Sequence, residues 1–315
     1  MQPSKEELLA REERWSIPVA LATLAGIGLL VVSAIVVRSV NGDGEAEILR
    51  AVHEHSSSIT LSSILQAGAF VLLAAPLVYL FRAAQGRSSQ VRGQLIGLII
   101  AAPLFLSVAA VLNAAATNDA ASEFVAGKAT ADLTVKEATG ECRSERKDDG
   151  AKSFREEFGG KGTAAALRRC ANTKVADEKA TNAIDEAPSR DLATGFALGG
   201  RLGLTFALIY CCLHAMRAGL LTRFWGSLGM ALGAAVLLLL VQFTLIWFLY
   251  FALLVAGWVP GGRPPAWAAG EAIPWPSPGE KAAAKLEGDG KPEDDAGNEP
   301  EESDSGERRK RKQRD

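Results

Sequence analysis

Residues 17–37, IPVALATLAGIGLLVVSAIVV, contain no charged side chain. As a helix rising about 1.5 Å per residue, a run of about 20 residues spans the roughly 30 Å hydrocarbon core of a bilayer. Four further runs read the same way: Ile59–Phe81, Leu95–Ala116, Leu192–Met216 and Leu228–Trp258. None of the five contains Asp or Glu. Helices that are apolar all round belong either in a large protein core or in lipid. The polar remainder is too rich in Ala, Gly, Lys and Glu to enclose such a core. The hydrophobic fraction of 48% is ordinary for a soluble protein, so the clustering of those residues carries the assignment and their mean does not. The chain is therefore expected to be all-α, an integral membrane bundle of five transmembrane helices.

Met1–Ser16 precedes the first run and carries Lys5, Arg11 and Arg14 among several Glu. Pro18 falls in the expected first helical turn, where a missing amide N–H is tolerated. A secretory leader is the competing reading. The run is too long for a leader core, and Arg38-Ser39-Val40-Asn41 lacks a small-residue cleavage pattern, so an uncleaved anchor is expected. The runs divide the chain into a three-span region (1–116), a helical loop or cap (117–191), a two-span region (192–258), and a Pro/Trp-rich juxtamembrane segment with a charged, disordered tail (259–315). Pro76 and Pro103 are expected to kink the second and third spans.

Orientation follows from Lys/Arg in short loops. The connection Arg82–Gln94 holds Arg82, Arg87 and Arg92, and Met216–Ser227 holds Arg217 and Arg223, both without an acid. These turns and the N-terminus are expected in the cytoplasm, with the loop 117–191 outside. Five spans would also put the tail outside, where its basic run Arg308–Lys312 is out of place. The fifth run is long, and a half-span hidden in it would return the tail to the cytoplasmic side.

Cys142 and Cys170 stand together in the long loop, and in an oxidising outer compartment such a pair suggests a disulfide. Closing that loop would contribute about 3 kcal/mol in the chain-entropy model. Two separate thiols are the alternative. Cys211 and Cys212, inside the fourth span, read as packing residues. The fourth span also carries a stripe of small residues: Gly195, Gly199, Gly203, Ala207, Cys211, Ala215 and Gly219. Small side chains every fourth residue let helix backbones approach closely in lipid. Gly229 and Gly233 repeat the pattern in the fifth run. Such a stripe serves either packing within the bundle or contact with a second copy or another membrane protein.

Groups able to do chemistry are sparse. His53-Glu54-His55 lacks the spacing of a zinc-protease motif and reads as a solvated pair. Arg201 is the one charge inside a span, costing about 2.5–3.5 kcal/mol at the bilayer centre unless it snorkels to the interface. Gln66, Asn113 and Gln242 are the other strong polar groups at depth; they either bond across helices or line a small polar cavity. Trp258, Trp267 and Trp275 fit an interfacial belt. Phosphate-loop, dinucleotide, nucleophile-elbow and Cys-x-x-Cys patterns are absent from the sequence, which points to no cofactor, no metal, no nucleic-acid partner and no enzyme.

The turn Met216-Arg217-Ala218-Gly219-Leu220-Leu221-Thr222-Arg223-Phe224-Trp225-Gly226-Ser227-Leu228-Gly229 resembles one that joins the last two spans in an uncharacterised family of multi-pass proteins from high-GC, actinobacterial-type bacteria. Gly262-Arg263-Pro264-Pro265-Ala266-Trp267 through Ile273-Pro274-Trp275-Pro276 is similar to the post-membrane segment of such proteins. The family is a domain of unknown function with one more span than is read here. The likeness implies location and architecture only. The expected role is a non-enzymatic membrane protein that organises or senses through helix and cap contacts, with a small-solute transporter or permease subunit as the alternative.

Overall fold

Ser4 starts the first helix, α1 (Lys5–Val37), through a reciprocal capping box: its hydroxyl accepts the Glu7 amide while the Glu7 carboxylate accepts the Ser4 amide. The structure, a computed structural model, describes residues 4–38, 40–149, 153–159, 163–238 and 241–275. The charged tail, expected to be disordered, lies outside the described residues. All regular structure within them is helical. α1 is followed by α2 (Glu45–Glu54), α3 (Ser56–Arg87) and α4 (Ile96–Val125), the last entered through a 3₁₀ turn at Gly93–Leu95. Then come three polar helices, α5 (Val135–Asp149), α6 (Ser153–Phe158) and α7 (Thr163–Asp185). α8 (Arg190–Arg217), α9 (Arg223–Ala235), α10 (Thr244–Ala256) and the short α11 (Pro265–Ala269) complete the order.

Among the described residues, four helices are long and apolar enough to cross a membrane: α1, α3, α4 with its 3₁₀ entry, and α8. Their outward faces carry Leu21, Ile64, Val71, Leu198 and Phe206, all exposed, while Thr23, Ser33 and Ser62 are buried between helices. Large apolar surface outside with hydroxyls inside is the arrangement lipid favours, because the hydroxyls find partners within the bundle. Ser33 and Ser62 do so directly, with their Oγ atoms 3.1 Å apart.

Two expectations are corrected. Pro18 is not in the first turn: α1 begins at Lys5, because the capping box starts it well before the apolar run, and Pro18 lies in its interior. The fifth apolar run is not one long helix. It divides into α9 and α10, flanking short 3₁₀ turns at Val236–Leu238 and Val241–Phe243. Roughly 31 residues would extend about 46 Å as one helix, well beyond the hydrocarbon core, yet two full crossings would need about 40. The run folds back on itself instead. The Trp247 indole N–H donates to the Trp225 carbonyl at 3.1 Å, and the Trp225 ring stacks on Tyr250 at 3.5 Å. Gly229 permits this return, since a side chain there would run into Cys212 and Trp247. Gln242 and Thr244, where the returning arm begins, line a cavity with Leu30, Phe70, Leu73, Pro103 and Leu106. Phe70 is about 25 Å along α3 from Arg87, so the hairpin reaches part of the way along α3 before it returns to the arginine end.

The bundle thus has two unlike ends. One, the arginine end, gathers the start of α1, the α3–α4 and α8–α9 turns, and residues 257–275. The other carries α2 and α5–α7. There Ala116, Ala120 and Ala121 of α4 share a small core with Ala46, Leu49 and Val52 of α2 and Ala180 and Ala183 of α7. A third core joins Ala138, Cys142, Phe154, Ala166 and Cys170.

Candidate functional site

Helix periodicity builds the most densely bonded cluster, a polar latch on the arginine end. Extending α1 back to Lys5 places Leu8, Glu12, Ser16 and Val19 on one buried face. On α3 the spacing of four brings Tyr79, Ala83 and Arg87 onto a common face. The two faces meet at an ion pair between Glu12 and Arg87, with Arg87 Nη2 2.8 Å from Glu12 Oε2 and a second bond from Nη1 to Oε1. The Arg87 side chain is fully buried and that of Glu12 is 9% exposed. Such a pair persists only if its remaining donors are satisfied. Arg87 donates from Nε to the Ala266 carbonyl at 3.1 Å, from Nη1 to Ala83 at 3.0 Å and from Nη2 to Trp267 at 3.4 Å.

Trp267 closes the cluster. Its ring stacks on Tyr79 at 5.8 Å and lies 5.5 Å from the Arg87 guanidinium, a cation–π contact. Its indole N–H donates to the Leu220 carbonyl at 2.9 Å, while the Tyr79 hydroxyl donates to the Glu12 carbonyl at 3.0 Å. Trp275 repeats the tie at Leu221, at 2.8 Å, and its own carbonyl accepts from Arg223 at 3.2 Å. Arg263 bonds the Leu254 and Val255 carbonyls that end α10. Gly219, at φ 76°, lets the α8–α9 turn lie directly under the Ile273 carbonyl, where a Cβ has no room. One cluster thereby fastens α1, α3, the α8–α9 turn and the segment after α10.

This corrects the interfacial-belt reading for Trp267. Trp267 is 5% exposed and Trp275 is hydrogen-bonded to protein, whereas Trp258, at 61%, stays outside. The Glu12–Arg87 pair was not legible as such, because 75 residues separate its members. The available signal was Ser4-x-x-Glu7, which starts α1 early enough to put Glu12 on its buried face.

The polar residues expected at depth do not converge. Gln66 donates to the Ser62 hydroxyl at 3.4 Å, and the exposed Asn113 accepts from Arg190 at 3.5 Å. Arg201 is half-buried on α8, with no hydrogen bond or ion pair among the described residues. Gln242 borders a cavity of about 260 Å³ beside the hairpin bend, whose other walls include Leu30, Phe70, Leu106 and Phe248. The small-residue stripe is occupied from within: a Cβ on Gly199 would meet Phe105 at 3.2 Å, and one on Gly203 would meet Ala102 at 2.7 Å. Gly233 lies against Leu208 in the same way, while Gly195 has open space. Helices of this chain therefore take up most of the stripe.

At the other end Cys142 of α5 and Cys170 of α7 lie at disulfide distance, with Cα atoms 6.1 Å apart. Glu145 stands beside them, but sulfurs bonded to each other leave no thiolate for a metal. Lys174 donates to Glu145 at 2.6 Å and Glu141 at 3.3 Å, and those bonds, Glu145 first, hold its pKa above the ordinary lysine value. Asp177 accepts the Ala46 amide at 3.0 Å in the first turn of α2, and Glu178 accepts the Leu133 amide at 2.9 Å. No protein family matches the chain, and neither a curated protein nor a solved structure is similar to it.

Proposed function

We propose that this chain is a non-enzymatic membrane protein that organises or senses through protein contacts, with α2 and α5–α7 as an extracytoplasmic cap. The arginine end, with Arg82, Arg87, Arg92, Arg217 and Arg223 in short acid-free turns, faces the cytoplasm under this reading. The observation that carries it is continuity between cap and spans. α4 runs past the apolar region, so that Ala120 and Ala121 join Ala116, the last residue of that region, in the cap core, and α7 passes into α8 across only a short turn. The far end of α8 is fastened to Trp267 and Trp275 through the Leu220 and Leu221 carbonyls. A load on the cap therefore reaches the latch through packed helices.

The test is hydrogen exchange on the full chain in lipid nanodiscs, before and after an antibody fragment engages the cap. Altered protection in residues 218–222 and 263–275 is the expected result. Protection changes confined to α2 and α5–α7 would remove the coupling.

A second reading, a small-solute transporter or permease subunit, draws support from the hairpin, since broken helices at mid-depth are a feature of transporter sites. Gln242 and Thr244 border the cavity there. Its walls are otherwise apolar. Substrate flux in reconstituted vesicles that is lost in Gln242→Leu would favour this reading over the first.

A further inference from the structure

We infer that the groove between α1 and α3 at the arginine end is a binding site for one anionic phospholipid. The groove encloses about 630 Å³ and is walled by Arg11, Glu12, Trp15, Pro18, Val19 and Ala22 on one side. Ala74, Ala75, Val78, Tyr79, Arg82 and Ala83 line the other. Its chemistry is graded along the helix axes. Arg11 and Arg82 stand at the mouth, both exposed, and neither has a hydrogen bond or ion pair among the described residues. Glu12 is the one acid in the lining, and Arg87 already neutralises it. The mouth therefore presents two uncompensated guanidinium groups, a pattern suited to a phosphodiester.

Below the mouth the walls are apolar, and Ala22, Ala74 and Ala75 are small enough to leave space that larger side chains would fill. From Arg11 to Ala22 is about 16 Å along α1, the reach of a headgroup and the upper part of an acyl chain. Trp15, 54% exposed on the rim, sits at the level where an indole prefers the membrane interface. Charge selects the occupant: a zwitterionic lipid brings its own cation to the two arginines, whereas phosphatidylglycerol does not.

The experiment is native mass spectrometry of the full chain, released from mixed nanodiscs of phosphatidylglycerol and phosphatidylcholine. Phosphatidylglycerol should be the retained adduct. Arg11→Gln with Arg82→Gln should reduce that preference by about 30-fold, the scale expected for two basic side chains near an anionic surface. Ala75→Trp, or Ala22→Phe should the first variant not fold, keeps both charges but fills the groove and should abolish retention. Millimolar inorganic phosphate should not displace the adduct; displacement would mean a simple anion site and overturn the proposal. Equal retention of both lipids, or retention unchanged in the double variant, would do so too. So would copy-to-copy crosslinking through Ala22→Cys and Ala75→Cys, since a second protein would then cover the groove.

Discussion

Arg87 has no water to fall back on, and its five N–H donors are spent on Glu12 and three carbonyls. Removing one member of a buried, hydrogen-bonded pair strands the other, at a cost of about 3–5 kcal/mol. Arg87→Leu and Glu12→Leu should each lose stability on that scale in detergent unfolding. The double variant should lose much less than the sum, and full additivity would show that the two side chains act independently. Trp267→Phe keeps the stack on Tyr79 but deletes the bond to the Leu220 carbonyl, so a loss of about 1 kcal/mol is expected from the same assay. Gly203→Leu should also destabilise the monomer, because Ala102 occupies the space its side chain needs. Loss of an oligomer with monomer stability unchanged would return the stripe to an intermolecular role.

Among the elements, the polar helices owe their pairing to few apolar side chains and so depend on specific ties. Cys142→Ser should loosen α5 against α7 by about 3 kcal/mol in the chain-entropy model, read as faster hydrogen exchange in both helices. The Lys174 tie should be insensitive to pH across the physiological range. Its contribution is fully present below the ordinary lysine pKa and fades only as pH climbs through the raised value. The apolar helices were legible from composition, since length and lack of charge suffice to identify α1, α3, α4 and α8. The place where the fifth run splits was not, because Leu228–Trp258 contains no proline to mark it and Gln242 is its one strongly polar side chain. What divides it is tertiary: Trp225 and Gly229 lie about 20 residues before their partners Tyr250 and Trp247, and these pairs matter only once they touch.

For the molecule as a whole, a returning hairpin leaves Glu271 beside Lys5, 3.9 Å from its ammonium, rather than a membrane thickness away. Single cysteines at Ser89 and Glu271 should therefore react with an impermeant maleimide from the same side of sealed vesicles, and those at Glu47 and Lys128 from the other. Labelling of Glu271 together with Glu47 would restore a fifth crossing and dismantle the latch. The sequence raised this possibility through the basic run Arg308–Lys312, whose placement outside was awkward, but charge alone does not locate a turn in an apolar segment. The latch itself was hidden because periodicity sets which face of its own helix each of Glu12, Arg87 and Trp267 occupies but does not pair faces so far apart in the chain.

The hairpin also bears on how the polypeptide is made. Arg223 and Arg263 flank it on one side, so neither guanidinium has to be threaded through lipid during synthesis. With the arginine end on the cytoplasmic side, as proposed, both arms of the hairpin would enter the bundle from the leaflet where the ribosome sits. Trp267 follows the hairpin in the chain, so the cluster that joins it to Arg87 can close only after α1, α3 and both arms of the hairpin have been made.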